Sequence, residues 1–103
     1  MSTETDIVEK IKTTRKLKEP GKYKVIVLND DYTPMNFVIA LLVKIFRISE
    51  DNAVQLTMKI HHDGSAVAGV YTYEIAEQKV LEATELSRLN GHPLIVKASQ
   101  ERV

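Results

Sequence analysis

The chain has 103 residues, 44% of them hydrophobic, and its 14 Lys and Arg are balanced by 14 Asp and Glu. That length and apolar fraction point to one folded domain with a small core and exclude disorder for the body of the chain. Zero net charge removes the electrostatic drive toward nucleic acid or anionic membranes, and the absence of Cys excludes disulfides, thiolate metal sites and thiol nucleophiles.

Residues 1–20 mix five basic and four acidic residues with several Ser and Thr, and few large apolar groups. Ile7, Val8 and Ile11 are too little apolar surface to offset the entropy of ordering such a segment. Pro20-Gly21 breaks the chain after it. The segment is therefore expected to be a flexible N-terminal extension, with residues 21–103 as the folded domain.

The first strand is expected at Tyr23–Leu28, a run rich in Val and Ile. A helix follows over about 34–46, opened by Pro34 and carrying Met35, Val38, Ile39, Leu42 and Phe46 at helical spacing. Ser49 reads as the N-cap of a second helix, with Glu50 and Asp51 in its first turn. Ala53, Leu56, Thr57 and Ile60 form its inward stripe, and Asp63-Gly64 ends it. A second strand is expected over about Ala66–Tyr71, interrupted by Gly69. Thr72 can cap a third helix running to Leu89, apolar at Ala76, Val80 and Ala83 and polar at Glu74, Glu77, Lys79, Glu82 and Arg88. Asn90-Gly91 and Pro93 close it, and the last strand is expected at Leu94–Ala98. The fold class is α+β: a three-stranded antiparallel sheet packed with three helices in a small sandwich, in the order β-α-α-β-α-β. The longest apolar run, Phe37 to Val43, is far short of a membrane span.

Asn29-Asp30-Asp31 lies in the loop between the first strand and the first helix. Side chains of this kind serve ordinary turns by bonding their own backbone. They also suit a cationic ligand group, with the apolar helix face behind them suiting a hydrophobic group on the same ligand. The spacing is wrong for a calcium loop. His61-His62-Asp63 at a helix end can cap carbonyls or face water. A metal site lacks partners at ligand spacing, since His92 is the only other His. Pairing His61 with Asp31 as base and orienter lacks a nucleophile motif. Met35, Val38, Thr57, Ile60 and Leu94 read as core by default. Thr57 is the odd member, its hydroxyl bonding back to the helix or facing a cavity. The polar face of the third helix reads as a solvated face or a partner contact.

The stretch YKVIVLNDDYTPMNFV at 23–38, His61, GVYTYEIAE at 69–77 and GHPLIV at 91–96 resemble the ClpS family, small adaptors of the ATP-dependent Clp protease. The resemblance covers about residues 20–100. It implies a protein with no catalytic activity and no cofactor or metal, working in the bacterial cytoplasm. Such adaptors bind proteins whose first residue is bulky and hydrophobic, typically Leu, Phe, Tyr or Trp, and hand them to the AAA+ unfoldase. At matching positions it assigns Asn29, Asp31 and His61, with Asp30 beside them, to the α-amino group. Thr33, Met35, Val38, Ile60 and Leu94 become pocket positions, with Met35 as gatekeeper. Thr57 joins the pocket where many members carry a larger apolar residue such as Met. Tyr32, Glu74 and Lys79 match the face that docks on the unfoldase N-domain, and the N-terminal extension matches the segment that engages the unfoldase during delivery. The runner-up is a small structural or regulatory interaction domain that uses its third helix and ignores N-terminal residues, and a hydrolase or metal enzyme is the third reading.

Overall fold

The computed structural model describes residues 22–100, so the extension expected over 1–20 lies outside the described residues. Strand β1 (Tyr23–Leu28) is the middle of a three-stranded antiparallel sheet, flanked by β2 (Ser65–Tyr71) and β3 (Ile95–Gln100). The helices are α1 (Met35–Phe46), α2 (Glu50–Asp63) and α3 (Tyr73–Leu89), and the order is the β-α-α-β-α-β expected from the sequence. Along β1 the side chains of Tyr23, Val25 and Val27 are buried, while the alternate positions are half-covered. That period of two gives the sheet one face for the core. Val27 lies opposite Ala66 on β2 and Val96 on β3, so three buried residues form one row across the sheet.

The pairing of β1 with β2 shifts between Val25 and Ile26, which face Gly69 and Val67 and leave Ala68 as an extra residue. Gly69 borders this irregularity, and a Cβ there would run into the Tyr71 ring. β3 starts after Leu94 and runs on to Gln100, two residues beyond the end expected from apolar character. Pairing with the start of β1, Tyr23 to Gln100 and Lys24 to Ser99, holds those polar residues in the ladder.

Pro34 stands at the start of α1, and its carbonyl accepts from the amides of Phe37 and Val38 at 3.1 and 3.2 Å. At the other end no glycine is present, and Arg47 itself takes the left-handed conformation, φ 59°. That costs a non-glycine residue about 1–2 kcal/mol. The Lys79 ammonium donates to the Ile45 carbonyl at 2.7 Å, placing a cation at the negative end of α1. Ser49 caps α2 by accepting from the Asn52 amide at 3.3 Å, and Gly64 ends it at φ 95°. α3 touches all three strands and α1. It presents buried Ala76, Ala83 and Ser87 inward, where small side chains let it lie close. Leu41 and Leu42 of α1 are fully buried, each contributing about 1.5–3 kcal/mol relative to exposure.

Candidate functional site

The site begins with the loop between β1 and α1. The Asn29 amide donates to the Gly64 carbonyl at 2.8 Å, which ties the loop to the end of α2. Asp30 shapes the turn that leads into α1. Its Oδ1 accepts from the amides of Tyr32 and Thr33 at 2.8 and 2.7 Å, and its Oδ2 accepts from the Thr33 hydroxyl at 2.8 Å. Partial burial pushes the Asp30 carboxyl up. The bonds from the Thr33 hydroxyl and the two amides, with the nearby His92, outweigh that and hold it below its ordinary value of 3.8. Asp30 thus performs the turn chemistry that its residue type allows. Asn29 and Asp31 on either side of it are exposed.

The loop forms the mouth of a cavity of about 180 Å³. Asn29, Asp30, Asp31 and His61 line it together with Thr33, Met35, Val38, Thr57, Ile60 and Leu94. The cavity therefore brings together all the residues expected at the amine and pocket positions. Two helices explain how. Met35 and Val38 lie one turn apart at the start of α1, the first 37% exposed at the mouth and the second buried. Thr57, Ile60 and His61 lie at i, i+3 and i+4 on one face of α2. Leu94 arrives from the far end of the chain. The Arg88 guanidinium holds that segment by donating to the carbonyls of His92 and Leu94 at 2.8 and 2.9 Å. His92 packs edge-on against Phe37 with ring centroids 4.5 Å apart.

The cavity is polar at its rim and apolar below. Val38, Ile60 and Leu94 are 5%, 2% and 1% exposed, whereas Asn29, Asp31 and His61 face solvent. Thr57 is buried, and its hydroxyl makes no hydrogen bond. Of the two options for that hydroxyl, the bond back to its own helix is not taken. A carboxamide oxygen, a carboxylate and an imidazole nitrogen can together accept from a group carrying several N–H donors. An apolar cavity as small as ~150 Å³ holds a benzene ring, so this one suits a single bulky side chain.

His62 is separate from this arrangement. It lies toward solvent and pairs with Asp63 at 2.9 Å. Among the described residues no group of three His, Asp or Glu side chains could hold a metal ion. No helix among them is long and apolar enough to cross a membrane.

Tyr32, Glu74 and Lys79 do not form one patch. Glu74 and Lys79 lie in the first two turns of α3, and Lys79 is engaged with the end of α1. Tyr32 lines a different hollow with Arg88, His92 and Ile95. From Glu74 to Arg88 the helix rises about 21 Å. Sequence reasoning missed Arg88 and Gly64 as supports of the site. The signal was present in both: an Arg in the last turn ahead of Asn90-Gly91, and a glycine where the second helix stops.

The family model described as ATP-dependent Clp protease adaptor protein ClpS matches residues 18–97. The ATP-dependent Clp protease adapter protein ClpS of Leptospira biflexa is 46% identical over 96 residues, 93% of this chain and 85% of the relative. The protein of the same name from Vibrio cholerae is 43% identical over 100 residues, 97% of this chain and 92% of the relative. The solved structure of Agrobacterium tumefaciens ClpS2 bound to L-phenylalaninamide matches with a TM-score of 0.77 at 46% identity. That likeness covers 81% of this chain and 100% of the other. With a family model matching residues 18–97 and relatives that match along nearly the whole chain, this protein belongs to the ClpS family of ATP-dependent Clp protease adaptors.

Proposed function

We propose that this chain binds proteins bearing a bulky hydrophobic first residue and delivers them to the AAA+ unfoldase of the Clp protease in the bacterial cytoplasm. The observation that carries the reading is the single cavity joining exposed acceptors at its rim to an apolar floor. A free α-amino group at neutral pH is mostly charged and offers three donors. Asn29, Asp31 and His61 receive it, directly or through water. The first side chain then descends past Met35 onto Val38, Ile60 and Leu94, worth roughly 1.5–3 kcal/mol if fully buried. Neither half alone is specific, so free terminus and residue type are read together. The phenylalaninamide in the Agrobacterium structure supports this reading, because it has the free amine and the adjoining amide of a peptide's first residue. Docking on the unfoldase N-domain is assigned to the start of α3 around Glu74 and Lys79, with Tyr32 as a separate contact.

The test is a panel of short peptides that differ only in residue one, each with a free and an acetylated N-terminus. Leu-, Phe-, Tyr- and Trp-first peptides with free termini should bind, and their acetylated forms and Ala-first peptides should not. Equal binding of free and acetylated peptides would instead support an interaction domain that ignores N-termini.

A further inference from the structure

We propose that Thr57 reads the polar tip of the first side chain, so that the cavity ranks tyrosine above phenylalanine. The inference rests on the function proposed above and names a preference within it. Among the described residues, the Thr57 hydroxyl is the one buried side-chain polar atom without a hydrogen-bond partner. Ser87, the other buried polar residue, shows what a helix usually does with such a group: its hydroxyl donates to the carbonyl four residues back, Ala83, at 2.8 Å. Thr57 has Ala53 in the same relation and does not use it. A buried hydroxyl left unpaired is costly and uncommon, and in the wall of a cavity a ligand can supply the missing partner.

The position of Thr57 says which partner. It lines the cavity, and His61 stands four residues on along the same face of α2. Four residues rise about 6 Å. That span is comparable to a tyrosine side chain measured from its backbone to its para-hydroxyl. A first residue whose amine meets His61 therefore places its ring tip level with Thr57. The other buried groups of the lining, Val38, Ile60 and Leu94, are apolar and offer a phenol nothing in exchange for the water it leaves. Thr57 can donate or accept. Because its hydroxyl holds no bond, one rotation about Cα–Cβ turns it toward the ligand without breaking anything.

The experiment measures affinity by fluorescence anisotropy for two free-terminus peptides that differ only as Tyr or Phe at residue one. Wild type should favour the Tyr-first peptide. Thr57→Val keeps the shape and removes the hydroxyl, and should lower Tyr-first affinity about three- to tenfold while leaving Phe-first affinity unchanged or tighter. Thr57→Ser should retain the preference and Thr57→Ala should lose it, which keeps the test decisive if the Val variant folds poorly. An equal change for both peptides, no change for either, or a Tyr preference that survives in Thr57→Ala would overturn the role of Thr57. Acetylated Phe-first peptide run beside them separates the two levels: if it binds as well as the free peptide, the failure lies in the amine reading.

Discussion

The amide of Asn29 donates to the carbonyl of Gly64, and this 2.8 Å bond joins the two halves of the cavity mouth. One half is the loop carrying Asn29 and Asp31. The other is the end of α2 carrying His61. Gly64 holds φ 95°, a conformation that favours glycine, and its own amide bonds back to Ile60. Gly64→Ala should therefore cost about 1–2 kcal/mol of stability through backbone strain alone. It should also weaken peptide binding, because the carbonyl that anchors Asn29 is displaced. Urea denaturation and peptide titration of the same variant check both effects. Lowered stability with unchanged affinity would show that the bond does not organise the mouth.

The rim residues separate by what they touch. Asn29 and Asp31 are exposed loop side chains, so replacing either with Ala should leave the melting temperature nearly unchanged. Each should lose a charge-assisted hydrogen bond to the ligand amine, about 1.5–3 kcal/mol of binding. His61→Ala should behave in the same way. His62→Ala is the internal control, since that ring lies in solvent beside Asp63. Affinity that falls in His62→Ala and holds in His61→Ala would exchange the roles of the two histidines.

Much of the fold and the site was legible in the sequence, and the gaps have physical reasons. The caps at Ser49 and Thr72 and the stop at Gly64 are local chemistry, and the structure uses them. The Val- and Ile-rich run at Tyr23–Leu28 and the helical spacing behind Pro34 pointed to the right elements because both patterns are strong. The end of α1 falls at Phe46 as the spacing indicated, but the way it closes was not legible: Arg47 takes a left-handed conformation that sequence rules reserve for Gly or Asn. Nor was the role of Lys79, whose partner Ile45 lies 34 residues away. Composition left Asp30 and its neighbours equivalent. Only the loop geometry shows that Asp30 is spent on the turn while Asn29 and Asp31 face out. Thr57 was visible as a misfit in an apolar stripe, but the direction of its hydroxyl depends on packing that no spacing encodes.

Asp30 makes the stability of the loop depend on pH. Its folded-state pKa lies below the ordinary 3.8, so it favours the folded state at any pH above that value. The contribution is lost as pH falls below 3.8 and the carboxylate takes up a proton. Wild type should thus be more stable than Asp30→Ala at neutral pH, by about 1 kcal/mol for the lost turn bonds. The difference should shrink toward the acid end of the range. Urea midpoints of both proteins at neutral and acidic pH give the comparison. A gap that stays constant through the acidic range would mean that the charge on Asp30 is irrelevant to the loop.

As the proposed gate, Met35 would act through shape rather than charge. It sits in the first turn of α1, 37% exposed, where the cavity opens. A first residue such as Leu is slender near its backbone and broad further down, so it passes the mouth and fills the floor. Ile and Val are broad at Cβ, the part that remains level with Met35. Wild type should therefore favour a Leu-first over an Ile-first peptide by about tenfold or more, the scale on which one misplaced methyl is discriminated. Met35→Ala removes the obstruction and should narrow the gap mainly by raising Ile-first affinity, with Leu-first affinity little changed. That pattern separates a gate from a floor, since loss of a floor residue would weaken the Leu-first peptide most. Equal affinity of wild type for the two peptides, or a Met35→Ala variant that loses Leu-first binding without gaining Ile-first binding, would make Met35 part of the floor.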